Sequence, residues 1–165
     1  MSWEPFVLAP PDHKAPFPQP MSHRDGLGDR LRIAAFAELQ AVRAFGWASE
    51  HFTDVPATII EGWQRQIPEE KLHFRLIVER MIRLGILPQK KTVSANLSET
   101  LYSCQSGKDF AIQIATAEHK GRLAALKMAD YLQHRDPVTA QVFLRIARDE
   151  VAHVQLVMDH FDWTP

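Results

Sequence analysis

Residues 70–73 read Glu-Lys-Leu-His, and residues 150–153 read Glu-Val-Ala-His. Side chains three positions apart on a helix share a face, so each motif aims a carboxylate and an imidazole at one point. With ten glutamates and eight histidines in 165 residues, about half of one such motif is expected by chance. The pair therefore gains its weight from what surrounds it. Glu38 stands upstream of Glu70 by the same interval that separates Glu118 from Glu150. The whole set repeats at an offset of 80: Glu38 with Glu118, Glu70 with Glu150, His73 with His153. Ala37 and Ala117, Ala44 and Ala124, Leu76 and Leu156 follow the same offset. An internal two-helix repeat accounts for all of these and implies a pseudo-two-fold axis.

Around these motifs the pattern is helical. Ala34, Ala41, Phe45, Ala48 and Phe52 recur at three- and four-residue steps, which predicts helix one from about Leu27 to Phe52. Asp54-Val55-Pro56 reads as a stop and a restart with an acidic cap. Helix two carries Trp63, Ile67, Phe74, Ile77, Met81 and Leu84 on one side and ends at Gly85, with a kink or restart expected at Pro68. Pro88 and a polar run then break the period up to about residue 106, with a short helix expected near Ala95 to Cys104. Ser106 caps helix three, which carries Ala111, Ile114, Ala125, Met128 and Leu132. Asp136-Pro137 opens helix four, with Phe143, Ile146, Val154, Val157 and Phe161. Short loops join the first and last helix pairs, and one long crossover joins the middle pair.

Six of the eleven prolines fall in the first 20 residues, so residues 1–24 are expected as an extended segment outside the core: a loose tail or a strap. Residues 25–165 are the helical domain. At 45% apolar and 24% charged, the chain belongs with globular proteins rather than disordered or collagenous ones. A net charge of −1 offers no bulk attraction to nucleic acid or membrane. The lone Cys104 permits no internal disulfide, and the start lacks a secretory pattern, so a cytoplasmic protein is expected.

Each of the four glutamates is flanked by apolar residues at helical steps, so all four point to the helical interior. Bare carboxylates there would be very costly. Two divalent cations would balance the four negative charges. Mixed carboxylate and imidazole donors suit iron or manganese better than calcium or structural zinc.

The set Glu38, Glu70, His73, Glu118, Glu150 and His153 resembles the ferritin-like di-iron carboxylate superfamily. More narrowly, AELQAVRAFGWA (37–48) and FLRIARDEVAHV (143–154) look like an uncharacterised bacterial ferritin-like family. The resemblance covers about residues 25 to 161. It implies an all-α, ferritin-like four-helix bundle with the six residues as ligands of two iron ions, or of manganese. One glutamate of the paired motifs would bridge both ions. It further implies Asp149 hydrogen-bonded to His73, and Glu69 to His153, as partners outside the ligand set. The expected partners are oxygen or peroxide and an unknown small substrate, in a monomer or small homo-oligomer. The chemistry would be that of an oxygenase or ferroxidase-like oxidoreductase. Non-catalytic iron handling and a metal-free helical interaction protein are the other readings. One cysteine excludes an added four-cysteine iron site, and the end at Pro165 makes a storage cage unexpected.

Among the remaining residues, His119 should point away from Glu118, and His51, His134 and His160 should lie at the surface near helix ends. Trp47, Trp63 and Phe74 read as core. Tyr102 and Tyr131 fall at no clear ligand-adjacent position. Arg122 either pairs with a ligand carboxylate or reaches solvent, and Cys104 is expected to be buried.

Overall fold

The computed structural model describes residues 2–10 and 13–165. These described residues form five α-helices: α1 (Gly26–His51), α2 (Ala57–Arg83), α3 (Asn96–Tyr102), α4 (Gly107–Leu132) and α5 (Pro137–His160). Among the described residues there is no strand, only an isolated parallel bridge between Leu8 and Val93. Among the described residues no helix is long and apolar enough to cross a membrane. The helix starts also repeat: Ala57 and Pro137 stand at the offset seen in the sequence, and Gly26 and Gly107 depart from it by a single position.

The ends of the helices are set by local chemistry. Ser106 accepts from the Asp109 N–H at 3.1 Å, and Asp136 accepts from the Thr139 N–H at 3.1 Å ahead of Pro137. Gly85 adopts a positive φ of 67°, and the Ile86 N–H turns back to the Met81 carbonyl at 2.9 Å. Asp54 departs from expectation. It does not cap α2, which begins after Pro56 without a side-chain cap; its carboxylate accepts from the Gly107 N–H, at 3.0 and 3.1 Å, and closes α4 instead. α2 runs through Pro68 as one helix, so the proline marks no restart.

Contacts at the helix ends give the directions. Arg80, late in α2, meets Asp136 before α5 at 2.8 Å, and Thr58, early in α2, meets His160 at 2.8 Å. These helices are therefore antiparallel. The Asp54–Gly107 contact brings the end of α1 to the start of α4, so that pair is antiparallel too. The chain thus runs up, down, down, up, and residues 84–106 carry it from one end to the other. Arg32 ties this crossover down. It donates to the carbonyls of Pro88 at 2.9 Å and Leu87 at 3.0 Å, and pairs with buried Asp29 at 3.2 Å.

The apolar core has two parts. Leu31, Phe36, Ile77, Met81 and Phe143 pack at one end, and Phe45, Ile59, Trp63, Phe110 and Val157 at the other. Each such buried side chain stabilises the fold by roughly 1.5–3 kcal/mol. Phe6 belongs to the first part and meets Phe36 at 5.1 Å, so the N-terminal segment lies on the helices as a strap and enters the core rather than staying outside it. Leu84, expected on the apolar side of α2, is exposed beyond the helix end. Cys104, expected to be buried, is only partly so, because it follows α3 at the surface, its Sγ facing the Thr100 carbonyl at 3.6 Å. Trp63 is buried, whereas Trp47 and Phe74 are half-buried at the core margin.

Candidate metal centre

Between the two apolar parts lies a polar layer. Glu38 comes from α1, Glu70 and His73 from α2, Glu118 from α4, and Glu150 and His153 from α5. His73 is 0% and Glu70 1% exposed, so neither reaches bulk water. Donor atoms of Glu38, Glu70, His73 and Glu150 lie within 4.8 Å of one another, and so do those of Glu70, Glu118, Glu150 and His153. Glu70 and Glu150 belong to both groups. His119, one position beyond Glu118, belongs to neither.

The two imidazoles face the layer with the same atom. His73 Nδ1 is 3.7 Å from Glu38, 3.6 Å from Glu70 and 3.6 Å from Glu150. His153 Nδ1 is 3.0 Å from Glu70, 3.3 Å from Glu150 and 3.6 Å from Glu118. None of these approaches has hydrogen-bond geometry. Glu70 Oε1, His73 Nδ1, Glu118 Oε1, Glu150 Oε2 and His153 Nδ1 are buried without a partner. Buried polar atoms are normally satisfied, and five orphans converging in one layer fit a cation as the missing partner.

The outer ring atoms are held from the facing helix. His73 Nε2 meets Asp149 Oδ2 at 3.3 Å, and His153 Nε2 meets Glu69 Oε2 at 2.7 Å. A carboxylate only accepts, so the ring N–H is the donor and the proton belongs on Nε2. In the neutral ring this leaves the Nδ1 lone pair directed inward, the form a metal requires.

Without a cation the layer binds protons. Burial, helped by the charge of Glu70, raises Glu38 well above the usual carboxylate range. Burial pushes Glu118 up to about 8 against the attraction of His153, and it raises Glu150 as well. Burial also pushes Glu70 upward, but His153 and His73 beside it outweigh this and hold it below the usual range. Burial disfavours charged His73, yet the Glu38 and Glu70 carboxylates outweigh it and push the imidazole up to about 11. His153 is raised in the same way, by Glu118, Glu150 and Glu70 against burial. A divalent ion would displace these protons, and four carboxylates with two imidazoles suit iron or manganese.

A cavity of about 570 Å³ opens between α1 and α4 and reaches Glu38, Glu70, Glu118 and Glu150. Its walls include Ala34 and Ala37 on α1 and Ala117, Gly121 and Ala124 on α4, with Tyr131 also in the lining. The only trace of this space in the sequence is the recurrence of small residues on both helices at three- and four-residue steps. Arg122 forms no ion pair with the carboxylates among the described residues, and its Nε is buried without a partner.

A family model described as "Protein of unknown function (DUF455)" matches residues 7–165, and the chain belongs to that family. No curated protein and no solved structure matches the chain.

Proposed function

Starting from membership of a family without an assigned activity, we propose that the chain is a ferritin-like four-helix bundle that holds two metal ions, iron in the cell, and acts as an oxidoreductase on oxygen or peroxide. One observation carries this reading: two overlapping donor groups share Glu70 and Glu150, and their inward atoms are buried and unpartnered. Glu38 and His73 would complete one position, Glu118 and His153 the other, with Glu70 and Glu150 between them. The up-down-down-up course of the chain supports the ferritin-like assignment.

Bound ferrous ions would supply the electrons that reduce oxygen or peroxide. The protein's own part is positional. Asp149 and Glu69 hold the Nε2–H of His73 and His153 and fix both rings. The flanking apolar parts cover the layer on two sides and lower the polarity around it, which strengthens the electrostatic interactions inside it. The cavity leaves the carboxylates open on the α1–α4 side, which favours a small organic co-substrate over simple iron buffering. A reducing cytoplasm suits ferrous ions and the lone cysteine.

The test is anaerobic ferrous loading, then exposure to oxygen with absorbance recorded. Two irons per chain and a transient oxygen-dependent band, both absent in Glu70→Ala, are expected. No stoichiometric metal, or binding unchanged in Glu70→Ala and His153→Ala, would sink the proposal. Ions that bind but stay inert to oxygen and peroxide would leave a metal-binding protein without this activity.

A further inference from the structure

We propose that the cavity between α1 and α4 binds an anionic amphiphile: an unbranched apolar stem of about ten carbons with one negatively charged end, the stem directed at the carboxylate layer. The binding is argued from the cavity alone; calling the occupant a substrate rests on the reading above.

Three features of the cavity carry this. The first is its shape. Its volume of about 570 Å³ lies within the ~300–1,000 Å³ of small-molecule sites. Because α1 and α4 are antiparallel, Arg30 and Lys127 in its lining fall at the same end. Arg30 precedes Glu38 by eight residues and Lys127 follows Glu118 by nine. At 1.5 Å per residue, both are roughly 12–14 Å along the helix axis from the carboxylates. Bonds of about 1.5 Å advance a zigzag chain by about 1.3 Å each, so about ten carbons cover that distance.

The second is its chemistry. Besides the four glutamates, only Arg30, Lys127 and Tyr131 in the lining are polar. Arg30 donates to the Gln19 carbonyl at 2.7 Å, and neither cation forms an ion pair among the described residues. A cationic mouth on an apolar passage selects a molecule that is charged at one end and greasy along the rest. At the floor, the carboxylates of Glu70, Glu118 and Glu150, each more than nine-tenths buried, keep an oxygen without a partner.

The third is Gly121. It lies inside α4, where glycine weakens a helix, yet a Cβ built there meets nothing within 4 Å. Packing does not demand a glycine at this point. Gly121 lines the cavity at its solvent-exposed side, so a larger side chain there has room to cover the opening.

The experiment is calorimetric titration of the full chain with decanoate, in metal-free and ferrous-loaded forms, with decanol and butyrate as comparisons and iron content read on the same samples. One decanoate per chain is expected, with butyrate at least ten-fold weaker. Gly121→Leu should lower decanoate affinity at least ten-fold while the iron content stays unchanged. The Arg30→Gln/Lys127→Gln double variant should weaken decanoate at least ten-fold and leave decanol unchanged. No decanoate binding, butyrate binding as tightly, or an unaltered affinity in Gly121→Leu overturns the proposal. Decanol bound as tightly as decanoate overturns the anionic end. Decanoate bound by a chain that takes up no iron would leave the cavity assignment standing and defeat the metal reading. Iron bound without decanoate would do the reverse.

Discussion

The two halves of the polar layer duplicate their inner atoms but not their outer supports. Glu38 and His73 correspond to Glu118 and His153 at the offset of 80, and both imidazoles turn Nδ1 toward Glu70 and Glu150. Outside the layer the match ends. Glu69 holds His153 at 2.7 Å through a single contact, although it is 53% exposed. Asp149 holds His73 at 3.3 Å and also faces Arg145 at 3.6 Å and Arg148 at 3.7 Å. Its charge is divided among three neighbours, so less of it acts on the imidazole. Duplication thus preserves what must meet at the centre, while the supports differ between the halves.

Substitutions within the layer give the largest expected effects. Glu70→Ala should abolish binding of both ions, because Glu70 belongs to both donor groups. Glu38→Ala and Glu118→Ala should each remove one. Iron content per chain reads this directly, and loss of both ions in Glu118→Ala would show that the halves do not act separately. The supports come next. Glu69→Ala and Asp149→Ala should lower metal affinity by about 10–100-fold, the usual effect of removing such a partner. Glu69→Ala should cost more, since its contact is shorter and undivided. Equal affinities in a competition titration would erase the asymmetry.

Acidity gives a third comparison, between the metal-free and loaded forms. Glu118 is raised to about 8 in the folded chain, so folding binds a proton there that the unfolded chain releases near 4.3. Its stabilisation is complete below that value and is lost as pH rises through about 8. His73 acts with the same sign, losing its contribution between its unfolded value near 6.5 and about 11. Glu70, held low, works the other way and loses its contribution only in acid. The thermal midpoint of the metal-free protein should therefore fall from pH 6 to pH 9. Metal affinity should rise over the same range, because binding displaces protons. A metal-free midpoint that rises with pH would contradict the charge arrangement of the layer.

The smallest effects are at the helix starts, where the halves differ again. Asp136 both caps α5 and pairs with Arg80, whereas Pro56, its counterpart in the first half, offers α2 no side-chain cap. Asp136→Ala should cost about 2 kcal/mol, and Asp54→Ala, which opens the start of α4, about 1 kcal/mol. Urea unfolding at fixed metal content separates these values. The reverse order would mean that the link from Asp54 to the second half outweighs the ion pair at Asp136.

Much of the architecture was legible in the residues. Helical periodicity, cap residues and the glycine at 85 are local signals, acting within one or two turns. They located the four long helices to within a residue or two, and the short helix in the crossover. The offset of 80 marked six residues that the fold brings into one layer. Some departures were local, as at Leu84 and Cys104, which lie just past the ends of their helices, and the larger ones were long-range. Asp54 looked like a cap for the next helix because a sequence shows only neighbours; in the fold, the Gly107 N–H is nearer. The hold of Arg32 on the crossover carbonyls of Leu87 and Pro88 joins residues far apart in the chain and left no periodic trace. Phe6 looked like part of a tail because prolines surround it, yet it meets Phe36.

What the sequence determined by itself was which residues share a helix face, because a 3.6-residue turn makes that a matter of counting. What only the tertiary structure decided was which faces meet. That Glu70 and Glu150 belong to both donor groups depends on how α2 and α5 approach each other. The cavity depends on the spacing of α1 and α4, where small side chains leave volume that larger ones would fill. Interhelical distance arises from the packing of all the side chains together, and no single stretch of sequence contains it.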